Sequence, residues 1–183
     1  RSIEKIMTRL FDTTPIMVTH SVESGLVKST IPQELGSDLL CNMAYAHTYH
    51  QDGPVMVIDF GTALTFSTVS RKGEVLGVAI APGLGTAVNA LFGATAQLPQ
   101  VELKVPDTVL GRDSMGSIRA GIMEGYAGLV ERIIRKTEEE LGERVYVMAT
   151  GGLSTTISTL IDRLDELDPI LTLRGLSLIA SLN

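Results

Sequence analysis

A single cysteine, Cys41, excludes an intramolecular disulfide and suits a reducing compartment such as the cytoplasm. Its simplest role is that of a small buried apolar side chain. Basic residues are few: 15 Lys and Arg stand against 21 Asp and Glu, for a net charge of −6. With no basic cluster, the chain lacks a surface for nucleic acid, and any anionic ligand must be held locally, by backbone amides and metal. No apolar run is long enough to span a bilayer. The amphipathic start, R-S-I-E-K-I-M-T-R-L-F, carries charge throughout, unlike a signal peptide. It opens on Arg1 inside a helical pattern, which leads us to expect further residues upstream. There is no short-period repeat and no low-complexity tract.

What the chain does have is apolar bulk and glycine. Apolar residues make up 44% and charged residues 20% of the 183, a balance that folds, and the 18 glycines predict many tight turns and close backbone approaches. The organising stretch is residues 55–78, V-M-V-I-D-F-G-T-A-L-T-F-S-T-V-S-R-K-G-E-V-L-G-V. It reads as a strand ending in Asp59, a turn at Gly61 and Thr62, a return strand, and a third strand after Lys72-Gly73. A carboxylate at a strand end can hold a cation or its water, Gly61 admits a phosphate close to the backbone, and amides with the Thr62 hydroxyl supply donors. An ordinary hairpin would use the same residues to shape its turn.

The rest alternates helix and strand, giving an α/β class. Helical spacing is predicted over residues 3–10, a short strand over 15–18, and loop over 20–33. A helix follows residues 37–38, where Ser37 or Asp38 can serve as its cap. His47 and His50, three apart, share a face of that helix, but no third metal ligand matches them. After A-I-A-P-G at 79–83 come a helix over 87–98, a strand over 101–105 and a long helix from 111 to 141 capped by Asp113 or Ser114. Within it Gly121, Gly125 and Gly128 form a stripe that is costly in a helix and so predicts close packing against another element or subunit. A strand over 145–149 runs into Gly151-Gly152 and a helix over 154–160. The chain ends in a helix over 172–182 capped by Thr172.

E-L-G-S-D at 34–38, D-F-G-T-A-L-T at 59–65, A-I-A-P-G at 79–83, Q-L-P at 97–99, G-R-D-S at 111–114, A-T-G-G at 149–152 and D-P-I-L-T-L-R-G-L at 168–176 occur in one order. Together they resemble the type III pantothenate kinases, over essentially the whole chain. The resemblance implies a ribonuclease-H-like (actin-like ATPase) fold, a mixed sheet flanked by helices. Residues 1–53 would be the remainder of an N-terminal lobe and 54–183 the C-terminal lobe. It implies transfer of the ATP γ-phosphate to the primary hydroxyl of pantothenate, the first step towards coenzyme A. Mg²⁺, a monovalent cation (K⁺ or NH₄⁺) and a cytoplasmic homodimer are implied as well. By position, Asp38 matches the general base, a sensible role for a carboxylate beside an attacking hydroxyl. Gly36, Ser37, Asp38 and Leu39 match the pantothenate motif, and Ser114 a substrate-touching threonine. Asp59 matches the monovalent-cation ligand, Gly61 and Thr62 the second phosphate motif, and Gly151 and Gly152 the loop near adenosine.

The chain departs from that pattern at four places. Leu39 stands where the family has an arginine suited to a carboxylate. Ser29 falls where a substrate-side tyrosine is expected, and Asp113-Ser114 replaces Asn-Thr. The family's N-terminal Asp-x-Gly-Asn-Thr phosphate motif is not among these residues, and without one no phosphate transfer is expected. Two alternatives follow: a catalytically impaired or regulatory relative of the same fold, and a kinase acting on another small hydroxyl compound.

Overall fold

In the computed structural model, residues 2–94 and 101–183 are described. The elements in chain order are α1 (Ser2–Phe11), α2 (Ser37–Tyr49), β1 (Val55–Phe60), β2 (Ala63–Val69), β3 (Val75–Pro82), α3 (Leu84–Ala94), α4 (Ser114–Leu141), β4 (Tyr146–Thr150), α5 (Ser154–Ile157), β5 (Glu166–Leu167) and α6 (Leu171–Leu182). Single 3₁₀ turns occupy Lys28–Thr30 and Ser158–Leu160.

The sheet has the order β3-β2-β1-β4-β5. β1, β2 and β3 form an antiparallel meander, while β4 joins β1 and β5 joins β4 in parallel. It is therefore the mixed sheet expected of the fold. Side chains alternate across a strand, so each residue of β1 faces one of two layers. Met56, Ile58 and Phe60 enter a core with Met123, Val130 and Ile134 of α4. Val55 and Val57 enter the opposite core, with Leu40, Met43 and Ala44 of α2 and Leu171 and Ile179 of α6. The sheet thus separates α4 from the α2–α6 pair.

Two glycines mark close approaches between elements. A Cβ on Gly175 would lie 2.1 Å from the Cys41 carbonyl oxygen, so α6 crosses α2 at backbone contact. The D-P-I-L-T-L-R-G-L motif is thereby accounted for structurally. Asp168, nearly buried, accepts from the Ile170 amide at 3.1 Å and pairs with Arg174 Nε at 3.0 Å, bracing the start of α6. A Cβ on Gly83 would lie 2.1 Å from the Gly61 carbonyl oxygen, so the A-P-G loop is pressed onto the turn after β1.

Several local expectations need correction. Residues 15–18 and 101–105 form no strand. The helix expected over 87–98 begins earlier, at Leu84, and its expected end, with Q-L-P, lies outside the described residues. The helix over 154–160 is one α-turn followed by a 3₁₀ turn. Neither Ser37 nor Asp38 caps α2: Gly36 holds the cap position, the Ser37 hydroxyl donates to the Val18 carbonyl at 2.7 Å, and Asp38 Oδ1 accepts from Leu39 N at 2.9 Å. Asp113 does cap α4, accepting from Gly116 N at 2.7 Å, but Thr172 lies inside α6, whose cap position is Ile170. His47 and His50 do not converge, since His50 follows the helix and stacks on Tyr146 with ring centroids 4.0 Å apart. Nothing within 4 Å meets a Cβ built on Gly121, Gly125 or Gly128, so the glycine stripe packs against no other element among the described residues.

Candidate active site

Asp59 is the last but one residue of β1, and its neighbours are fixed by register. Thr65 of β2 and Thr150 of β4 both stand opposite it. Cross-strand partners project to the same face. A row Thr65–Asp59–Thr150 therefore crosses three strands on the face that α2 covers. From α2, Asn42 reaches down on this row, its Nδ2 donating to Asp59 Oδ2 at 3.4 Å. Asn42 is 0% exposed. Among the described residues, Asn42 Oδ1 and the hydroxyls of Thr65 and Thr150 have no hydrogen-bond partner within the chain.

The other Asp59 oxygen faces the two glycine turns. A Cβ on Gly61 would come within 3.4 Å of Asp59 Oδ1, and one on Gly151 within 2.4 Å. Gly151 also has φ +94°, so both its backbone and its surroundings require glycine. The turn donors differ from the simplest expectation. The Gly61 amide is turned inward onto the Ala63 carbonyl at 3.2 Å. The Thr62 carbonyl is held by the Gly83 amide at 2.9 Å and the Thr86 hydroxyl at 2.7 Å. Among the described residues this leaves the Thr62 amide and hydroxyl, with the Gly152 amide, as unengaged donors in the two turns that follow β1 and β4.

Asp38 sits exposed in the first turn of α2, one helical turn before Asn42. A Cβ on Gly36 would lie 2.5 Å from Asp38 Oδ1, so the glycine before the helix makes room for this carboxylate. Asp59 senses the charge of Asp38. Burial pushes the Asp59 carboxyl above its ordinary range, the Asn42 amide pulls it back, and the negative charge of Asp38 adds to the rise. Cys41, three residues after Asp38 on α2, is pushed up to about 11 by burial and by that same charge, which leaves it a protonated core side chain.

The structure thus sets Asp59 against Gly61 and Gly151, with Thr62 and Gly152 next in the same two turns, and Asp38 beside Gly36 within electrostatic reach of Asp59. Three positions stand apart. Leu39 is 7% exposed and belongs to the α2–α6 core, Ser29 is exposed on its 3₁₀ turn, and Ser114 is exposed at the start of α4, on the other layer of the sheet. Asn42, Thr65 and Thr150 were missed by the sequence reading. D-F-G-T-A-L-T and A-T-G-G contain both threonines, yet only strand register shows that they flank Asp59.

The oxygens of this layer are a carboxylate, an amide oxygen and two hydroxyls, all hard and carrying a single formal charge between them. Hard oxygens of that charge suit a monovalent cation better than a transition metal. Among the described residues no group of three His, Cys, Asp or Glu side chains is placed to hold a metal ion. No helix of the described residues is long and apolar enough to cross a membrane.

Comparison with known proteins identifies the family. A family model described as type III pantothenate kinase matches residues 1–136. Curated proteins named type III pantothenate kinase are similar along nearly the whole chain. One from Moorella thermoacetica is 39% identical over 182 residues, covering 99% of this chain and 71% of that protein. One from Syntrophobacter fumaroxidans is 40% identical over 184 residues, covering 100% and 71%, and one from Roseiflexus castenholzii is 42% identical over 176 residues, covering 96% and 69%. Among solved structures, a Campylobacter jejuni chain described as belonging to the Baf family of transcriptional activators superposes with a TM-score of 0.57 at 23% identity, over 83% of this chain and 66% of that one. The Alp12 filament structure gives 0.50 at 16%, over 73% and 48%, and both likenesses speak to fold alone. This chain belongs to the type III pantothenate kinase family, ATP-dependent phosphotransferases that act on pantothenate at the start of coenzyme A synthesis.

Proposed function

We propose that within this family reaction Asp38 is the general base, and that Asp59 with the two glycine turns forms the seat of the transferring phosphate. The observation that carries the reading is the setting of Asp59: its Oδ1 faces Gly61 and Gly151, and the exposed carboxylate of Asp38 at the start of α2 is close enough for its charge to act on it. Phosphoryl transfer asks for little covalent help from the protein; it needs positioning and charge neutralisation. Asp38, open to solvent, can take the proton of an acceptor hydroxyl. Thr62 and Gly152 donate to phosphate or sugar oxygens. Asp59 holds the monovalent cation (K⁺ or NH₄⁺), which supplies positive charge beside the phosphate, and Mg²⁺ accompanies ATP.

We read the working unit as a cytoplasmic homodimer. Asp38 and Ser114 belong to opposite layers of one chain, and α4 presents open glycines at 121, 125 and 128 on which a second helix can lie closely.

A second reading concerns the acceptor. Leu39 is packed into the core and Ser29 is far shorter than tyrosine, so the charged fork expected for the pantothenate carboxylate is missing at that position. This favours an acceptor that is neutral at that end, or a relative with impaired turnover. One experiment addresses both readings: ADP release in K⁺ and Mg²⁺ with pantothenate or its neutral alcohol analogue, for wild type and Asp38→Asn. Pantothenate-dependent turnover that falls by about 10²–10⁴-fold in Asp38→Asn, at unchanged Tm, is the expected result. An unaffected rate sinks the base assignment, and preference for the neutral analogue moves the acceptor to the second reading.

A further inference from the structure

We propose that Asn42 is a positioning residue of this site: its side-chain amide holds Asp59 Oδ2 so that Asp59 Oδ1 is aimed into the gap between Gly61 and Gly151. The inference rests on the reading of Asp59 above and adds a residue to it.

The helix supplies the geometry. Asn42 lies four residues after Asp38, so both project from one face of α2, Asp38 at the exposed end and Asn42 a turn deeper. At 0% exposure an amide is costly unless both of its ends are used. The nitrogen end is assigned by chemistry, because a carboxylate can only accept; the donor towards Asp59 Oδ2 at 3.4 Å must be Nδ2. Oδ1 is then left facing away from Asp59, buried and without a partner, in the same layer as the equally unpartnered hydroxyls of Thr65 and Thr150. A purely structural helix position in this core would be filled more cheaply by an apolar side chain. Its neighbours Leu40, Cys41, Met43 and Ala44 are all of that kind.

The residue type is informative as well. A lysine or arginine at 42 would pair with Asp59 and cancel the charge that a cation needs. An aspartate would repel it. An amide orients the carboxylate while leaving its full negative charge, and with one oxygen of Asp59 tethered only the other is free to turn towards a ligand. The steric limits agree: Gly151 can carry no Cβ because Asp59 Oδ1 lies 2.4 Å from where it would be. The orientation held by Asn42 is the one that the glycine loop is shaped to accept.

The test uses Asn42→Leu, close in shape but without a donor, and reads K⁺-dependent thermal stabilisation alongside kinetics. The expected result is a half-saturating K⁺ concentration raised about tenfold or more and a lowered kcat. KM for the acceptor should not change, since Asn42 does not touch it. If Asn42→Leu does not fold, Asn42→Ser, too short to reach Asp59, is read in the same way and should show the same rise. A variant whose Tm falls while its half-saturating K⁺ stays at the wild-type value overturns the proposal and leaves Asn42 as packing. A wild type that K⁺ does not stabilise also overturns it. The thermal readout needs no turnover. A wild type stabilised by K⁺ but unable to phosphorylate, with the K⁺ response lost in Asn42→Leu, would therefore refute the functional reading and keep this one.

Discussion

At Asp59 stability and function pull in opposite directions. The folded protein holds the Asp59 proton more tightly than the unfolded chain does, chiefly through burial. The sign follows from linkage: the cost is absent below the ordinary carboxylate range and grows as pH rises through the higher folded value, where the fold must carry the charge. Asp59→Asn removes the charge and still accepts from Asn42. Its Tm is expected to exceed wild type at about pH 7.5 and to converge with it towards about pH 4, while phosphate transfer is lost. A Tm below wild type at about pH 7.5 would show that Asp59 is already compensated inside the fold. This residue also shows what can be read from sequence. Asp59, Gly61 and Gly151 were legible because a carboxylate or a glycine at a strand end has few cheap explanations. Asn42 was not, since one amide inside an otherwise apolar helix announces nothing until register brings Asp59 beneath it.

Among the elements, the tightest joint is the crossing of α2 and α6. Gly175 touches the Cys41 backbone, and backbone cannot give way as a flexible side chain does. Gly175→Ala is therefore expected to cost about 1–3 kcal/mol or more in urea unfolding, and to weaken activity by displacing α2 with Asp38 and Asn42. A stability unchanged within error would mean that the two helices slide apart freely. The meander was legible from alternating apolar runs and turn glycines, and α4 from its period and its Asp113 cap; the structure adds Gly142 at φ 71° as the residue that closes it. The misses have physical causes. Residues 15–18 and 101–105 have strand-like composition but no sheet edge to join. β5 pairs only two residues with β4, too few to leave an alternating pattern. The caps of α2 and α6 were misplaced by one or two residues; at α2 the Ser37 hydroxyl and the Asp38 carboxylate serve other partners.

For the whole molecule, the open face of α4 carries the proposed dimer. Gly125 is exposed at the middle of the glycine stripe, so a large side chain there meets nothing within one chain. Gly125→Leu is expected to leave the monomer's fold intact and even to favour the helix by about 1 kcal/mol, while shifting sedimentation from dimer to monomer. A variant that still sediments as a dimer would move the interface elsewhere. The layer arrangement had no signature in the sequence: which helices share a face depends on the sheet order β3-β2-β1-β4-β5, and so on where β4 inserts.

That insertion has a consequence for how the protein comes to be active. β1, β2 and β3 are neighbours in sequence and pair with short turns between them, whereas β4 pairs with β1 across the whole of α3 and α4, joining Val55 to Tyr146 and Asp59 to Thr150. Contacts so distant along the chain carry a larger loop-closure cost and form late. Until they do, Asp59 lacks Thr150 on one side and the Gly151 turn in front, and α6 has no completed sheet to settle on. The surroundings of Asp59 are therefore finished at the slowest stage of folding, and in a refolding experiment the return of K⁺ binding should lag behind the return of secondary structure.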